Sequence, residues 1–247
     1  MEAYEATPVF IPVGIMEEVV ELVMRKLSWS ARPGGTDLEA LQGCLLKFGD
    51  NSKKLYISVE YFVFLLSNQN PLWYSYQAFV SARPVALDKI PGVRLVGVVE
   101  TWHRIFSKFV IKVTGSEATH TCRDDQLCAG LKALMDREVH RVQYIWEYNP
   151  TKEKLISLLV DVKIAFNNIN WIVMLCRVCQ LWPSGACFFF NCYCRHSSLV
   201  LRRGDGTANV LYSREGVIQV DPLEIADYGI GILPMIKRIN LNYPDTT

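Results

Sequence analysis

A short apolar run that ends in a carboxylate limits this chain more than any other stretch. Leu155, Ile156, Leu158, Leu159 and Val160 lead directly into Asp161. The run has the length of a strand buried on both faces, where a charged side chain is least expected because leaving water without a partner is costly. Phosphoryl transfer gives a carboxylate a reason to sit at the end of such a strand, since two Mg²⁺ ions about 4 Å apart are held by carboxylates on rigid elements. A solvent-facing Asp that caps the next helix is the other reading. Phe166 and Asn167 follow closely, and these residues taken alone leave both readings open.

Size and composition then narrow the class. A chain of 247 residues, 50% hydrophobic, buries a sizeable core as one large domain or two subdomains. Eight cysteines would suit a secreted protein, but the opening MEAYEATPVF is acidic and lacks the basic and apolar regions of a signal peptide. The expectation is a soluble intracellular chain with free thiols. The longest apolar stretch, Ile169 to Cys194, is interrupted by Arg177, Gln180, Pro183 and Asn191. No run therefore reaches the ~20 residues of a membrane span.

Net charge is only +1, which gives no global field for a polyanion. The charge is uneven, however: Arg83, Lys89, Arg94, Arg104, Lys108 and Lys112 face only Asp88 and Glu100 in that stretch. A local basic surface is expected there.

Helical spacing predicts a first helix over Ile15 to Leu27, with Glu17 and Glu18 early and Lys26 late, as its dipole favours. Thr36-Asp-Leu-Glu39 has capping-box spacing for a second, and a third is expected over Lys53 to Leu66. Trp73, Tyr74, Tyr76 and Phe79 could stack on bases, but their spacing favours core packing. Pro84 to Leu87 and Arg94 to Val98 read as a hairpin around Asp88-Lys-Ile-Pro-Gly92, and Glu100 to Val113 reads as a helix. A long helix is expected to end near Asn149. Further helices are expected over Asn170 to Leu181 and Ala186 to Arg195, separated by Trp182-Pro-Ser-Gly185. Cys176 and Cys179 have CxxC spacing inside one helix, and the other cysteines fit no common zinc module, so packed thiols are the expected use. A hairpin of Leu199 to Leu201 with Val210 to Tyr212 around Arg203-Gly-Asp-Gly206 precedes a last helix from Pro222 to Arg238, bent or interrupted at Pro234.

Two segments carry a family resemblance. VDVKIAFN, around Asp161, is similar to the VDAxNAFN segment of reverse transcriptases of non-LTR retrotransposon type. SREGVIQVDPL, Ser213 to Leu223, resembles their SxEGxxQGDPL segment, with Gln219, Asp221, Pro222 and Leu223 in matching places. The likeness extends through ALDKIPGVRLVGV and DDQLCAGLK, covering roughly Ala82 to Leu233. The resemblance implies an α+β right-hand polymerase fold: an N-terminal helical extension over 1–80, fingers over 81–154 and a partial palm over 155–247. It implies RNA-directed DNA synthesis, with Asp161 as catalytic metal ligand for Mg²⁺ and Lys89 and Arg94 on the incoming triphosphate. Phe166 would exclude a 2′-hydroxyl, Gln219 would lie beside the nascent base pair, and Gln126 would help hold the template or the fingers. The partners would be an RNA template, a DNA primer and deoxynucleoside triphosphates, in the nucleus or the cytoplasm.

Several positions depart from the family pattern. Leu95 stands where Pro is common, Ile164 where Asn is usual, and Val220 where the pattern has Gly, a position at which a β-branched side chain crowds the backbone. Asp227 enters a normally apolar helix face. The 247 residues contain no Tyr-Ala-Asp-Asp hairpin and no thumb, so one carboxylate stands where the family uses three. The expectation is an incomplete palm with negligible polymerase activity, an open sheet edge, and a second polypeptide needed to complete the site. The other expectation is a non-catalytic retroelement relic or RNA-binding module.

Overall fold

The computed structural model describes residues 10–27, 35–88, 90, 92–122, 134–148, 165–218 and 221–242. They form an α+β architecture of helices around a four-stranded mixed sheet. Asp161, Lys89, Gln219 and Gln126, with the apolar run Leu155 to Val160, lie outside the described residues.

The N-terminal helices follow the apolar spacing. α1 (Glu17–Lys26) buries Val20, Val23 and Met24, with its acids in the first turn and its bases in the last. α2 (Leu38–Leu46) is capped by Asp37, whose carboxylate accepts the Glu39 N–H at 2.9 Å. The cap is thus one residue later than the Thr36 box, because the helix itself begins at Leu38 and leaves Thr36 outside it. α3 (Asp50–Asn68) is longer than expected at both ends and buries Tyr56, Val59, Val63 and Leu66. Its last residue, Asn68, anchors the incoming chain: the amide accepts from Val13 N at 2.6 Å and donates to Val13 O at 2.9 Å.

After the short α4 (Trp73–Tyr76) come β1 (Ala82–Asp88) and β2 (Val93–Val99), an antiparallel hairpin running from Ala82 opposite Val99 to Asp88 opposite Val93. The second hairpin, β3 (Ser197–Arg202) and β4 (Ala208–Ser213), turns through Gly206 at φ 85°. The strand order is β2-β1-β3-β4, and the two hairpins join through one parallel pairing, Ala82 with Leu199. Ala208 through Tyr212 are exposed on both faces of the sheet.

α5 (Thr101–Cys122) is the spine of the helical core. Ile105, Phe106, Phe109 and Val110 are fully buried, and the Phe106 ring meets Phe62, Phe79, Trp102 and Phe109. It continues well past Val113, where Thr114 and Gly115 lower its propensity, because Thr114, Ala118 and Cys122 are buried there. The Trp182 indole N–H also donates to Thr114 O at 3.0 Å. Of the four aromatic residues weighed for stacking, Tyr76 is buried and Phe79 packs on its ring, whereas Tyr74 is 91% exposed.

α6 (Leu134–Tyr148) stacks Tyr144 on Tyr148 at 4.7 Å. α7 (Trp171–Leu181) is capped by Asn170, which accepts from Ile172 N and Val173 N. Every residue of α8 (Ala186–Tyr193) is buried. α9 (Glu224–Asn242) runs unbroken through Pro234. Pro234 removes one helical donor, but α7 and α5 pack along the helix, where Ala226, Ile230 and Leu233 are buried in the turns leading up to it. Among the described residues no helix is long and apolar enough to cross a membrane.

Candidate functional site

The two segments that carry the resemblance meet. Ala165–Asn168 forms a 3₁₀ turn, and the Phe166 carbonyl accepts the Val217 N–H at 2.7 Å while the Ile169 carbonyl accepts the Gly216 N–H at 2.8 Å. The Trp171 indole N–H closes the junction by donating to Gly216 O at 2.5 Å. Gly216 takes φ 78°, and a Cβ there would lie 2.5 Å from the Asn167 carbonyl oxygen, so only glycine fits. Gly97 of β2 likewise leaves room for Ile218, which a Cβ would meet at 2.7 Å.

Phe166, half-buried, sets its ring 4.8 Å from Tyr228 of α9. Arg94 lies in β2 opposite Leu87, and its side chain is outside the described residues. A cleft of about 210 Å³ opens between the sheet and the junction, lined by Pro84, Gly97, Asn167, Leu199, Glu215 and Ile218 among others. That is smaller than the ~300–1,000 Å³ typical of pockets for drug-sized ligands. As described, it takes a group the size of a base or a side chain, not a whole nucleotide.

His103, Asp221 and Asp227 form a buried polar cluster next to the junction. Asp221 uses both carboxylate oxygens: one accepts from Leu223 N at 3.0 Å, capping α9, and the other sits 2.6 Å from Nε2 of His103. Both side chains are buried. The histidine comes from the inner face of α5, and no local spacing links the two positions. Nδ1 of His103 has no hydrogen-bond partner among the described residues. Asp227, one helical turn into α9, is fully buried, and neither carboxylate oxygen has a hydrogen-bond partner of normal geometry there. Burial, then the charge of Asp221, push its carboxyl well above the ordinary range, against a smaller opposing effect of the nearby Tyr193 hydroxyl.

These carboxylates do not fit the magnesium that the resemblance implies. Asp221 is committed to His103 and the helix cap, and Asp227 is driven toward its neutral form, which is a poor metal ligand. Among the described residues no group of three or more His, Cys, Asp or Glu side chains is placed to hold a metal. Cys176 and Cys179 stand within one turn of α7, and burial pushes the Cys179 thiol up.

Compared with protein-family models and with curated proteins, the chain matches none.

Proposed function

We propose that this chain forms the fingers and part of the palm of an RNA-directed DNA polymerase of retroelement type, in a right-hand polymerase arrangement, and that it holds an RNA template with its DNA primer. The observation that carries the reading is the pairing of Gly216 and Val217 with Ile169 and Phe166, which joins by backbone hydrogen bonds the two segments that most resemble that family. The junction also walls a cleft whose other side includes Pro84 and Gly97 of the hairpin that carries Arg83, Lys89 and Arg94 in its sequence. In this reading Lys89 and Arg94 grip the triphosphate of a deoxynucleotide. Phe166 stands where a 2′-hydroxyl would fall, Gln219 lies beside the new base pair, and Asp161 is the metal-facing carboxylate.

A second reading, a module that binds RNA without extending a primer, is favoured by one observation. The two buried aspartates next to the junction are taken by His103 or held toward neutrality, and among the described residues no group of three or more His, Cys, Asp or Glu side chains is placed to hold a metal. Both readings meet one experiment, in which the 247 residues are given a primed RNA template, deoxynucleotides and Mg²⁺. Extension that Asp161→Ala abolishes establishes the polymerase. RNA binding without extension, lost in Lys89→Ala with Arg94→Ala, establishes the module. Neither binding nor extension at low salt would sink both.

A further inference from the structure

The basic stretch of the sequence divides in the fold. Arg83, Lys89 and Arg94 belong to the β1–β2 hairpin and its turn, whereas Arg104, Lys108 and Lys112 lie on α5. At i, i+4 and i+8 the helical residues form one strip, with steps of about 6 Å along the axis. α5 is buried on most of its other sides, through Ile105, Phe106, Phe109, Val110, Thr114 and Ala118, so this strip is one of its few openings to solvent. Arg104 and Lys108 are half-buried and Lys112 is exposed.

No salt bridge joins any of the three to a carboxylate among the described residues. Nε of Arg104 is buried there without a hydrogen-bond partner. Burial, and then Arg104, push the Lys108 ammonium down. Two cations that disfavour each other, partly removed from water and lacking a paired carboxylate among the described residues, make a site that an outside anion stabilises.

Beyond Lys112 the strip opens into a groove of about 240 Å³ between α5 and α9, bounded by Lys112, Gly115, Ser116, Thr119 and Ala226. Ala226 and Tyr228 are two positions apart on α9 and so point about 200° apart. The groove therefore lies across α9 from the Phe166 ring, away from the cleft at the junction.

We propose that this strip is a track for a nucleic-acid backbone, with Arg104, Lys108 and Lys112 each meeting a phosphodiester of a strand that runs along α5 into the groove beside α9. Three cations spread over about 12 Å of helix axis cannot converge on one compact anion, whereas a chain of phosphates offers each its own partner. The fork of Arg104 suits phosphate oxygens. The choice of nucleic acid over an acidic protein rests on the polymerase reading above.

The test is fluorescence anisotropy of a labelled single-stranded RNA of mixed sequence, titrated with the chain at several KCl concentrations. Neutralising the strip with Arg104→Gln, Lys108→Gln and Lys112→Gln is expected to lower the slope of log affinity against log salt by about 2, at ~0.7 per phosphate contact on a single strand. Lys112→Gln alone, at an exposed position that does not threaten folding, is expected to lower it by ~0.7. Lys53→Gln with Lys54→Gln on α3 should leave the slope unchanged. A wild-type slope in Lys112→Gln and in the folded triple variant overturns the track, as does strip-dependent binding of poly-glutamate without binding of RNA. Slope lost only with Lys89 and Arg94 removes the track and leaves the polymerase reading intact. Slope lost only with the α5 residues keeps the track and removes the hairpin's assigned role. No RNA binding by the wild-type chain at low salt overturns both.

Discussion

The cap of α9 and its first turn each contain a buried aspartate, yet the fold treats the two differently. Asp221 has a helix N–H on one oxygen and His103 on the other. Asp227 has neither, and burial drives it toward the neutral acid. A buried carboxylate is tolerable when its lone pairs are met and costly when they are not, so the first aspartate organises the junction and the second strains it. The contrast also separates two kinds of match to the family pattern. Asp221 keeps the pattern and has a place ready for it, whereas Asp227 departs from it and has only the Tyr193 hydroxyl nearby, with no hydrogen bond of normal geometry among the described residues.

The largest effect should come from making Asp221 resemble Asp227. His103→Ala strips one buried partner and is expected to cost about 3–5 kcal/mol, read as a lower urea midpoint, because removing one member of a buried pair leaves the other unmet. A midpoint within error of wild type would mean that the pair contributes nothing. The reverse change is smaller and opposite in sign. Asp227→Leu removes an unmet polar group and is expected to stabilise by about 1–3 kcal/mol.

Asp227→Asn sharpens the comparison through pH. The stability linked to Asp227 is fully present below the ordinary carboxylate pKa of about 3.9 and is lost as pH rises through its raised folded value. The gap in unfolding midpoint between Asp227→Asn and wild type should therefore widen from pH 4 upward, and a gap independent of pH would refute the assignment. The smallest effect isolates capping from burial. Asp37 caps α2 in water, so Asp37→Ala should cost only about 1 kcal/mol in thermal unfolding.

Much of the secondary structure was legible because it rests on local patterns. The charge order of α1, the turn signal at Arg203 to Gly206 and the breaker at Trp182 to Gly185 each name their own element. The second half of α5 was not legible, since Thr114 and Gly115 argue against a helix and only packing keeps it. At the site, Gly216 was visible as part of a motif. Its reason, the Asn167 carbonyl against its Cα, is a contact between segments distant in sequence. The His103–Asp221 pair had no signature, because a histidine on an apolar helix face looks the same whether or not an aspartate reaches it from another element. Asp161, Lys89 and Gln219 rest on the resemblance alone.

The single parallel pairing between Ala82 and Leu199 bears on the order in which the chain folds. Each hairpin closes over a short loop, which takes on the order of microseconds, whereas this pairing must bring together residues from opposite parts of the sequence. Pulse-labelled hydrogen exchange is expected to protect amides within the β1–β2 and β3–β4 ladders before those around Ala82 and Leu199. Until that pairing forms, β1 and β3 each present a free edge, and the newly made protein spends its most aggregation-prone interval as two finished hairpins awaiting one late contact.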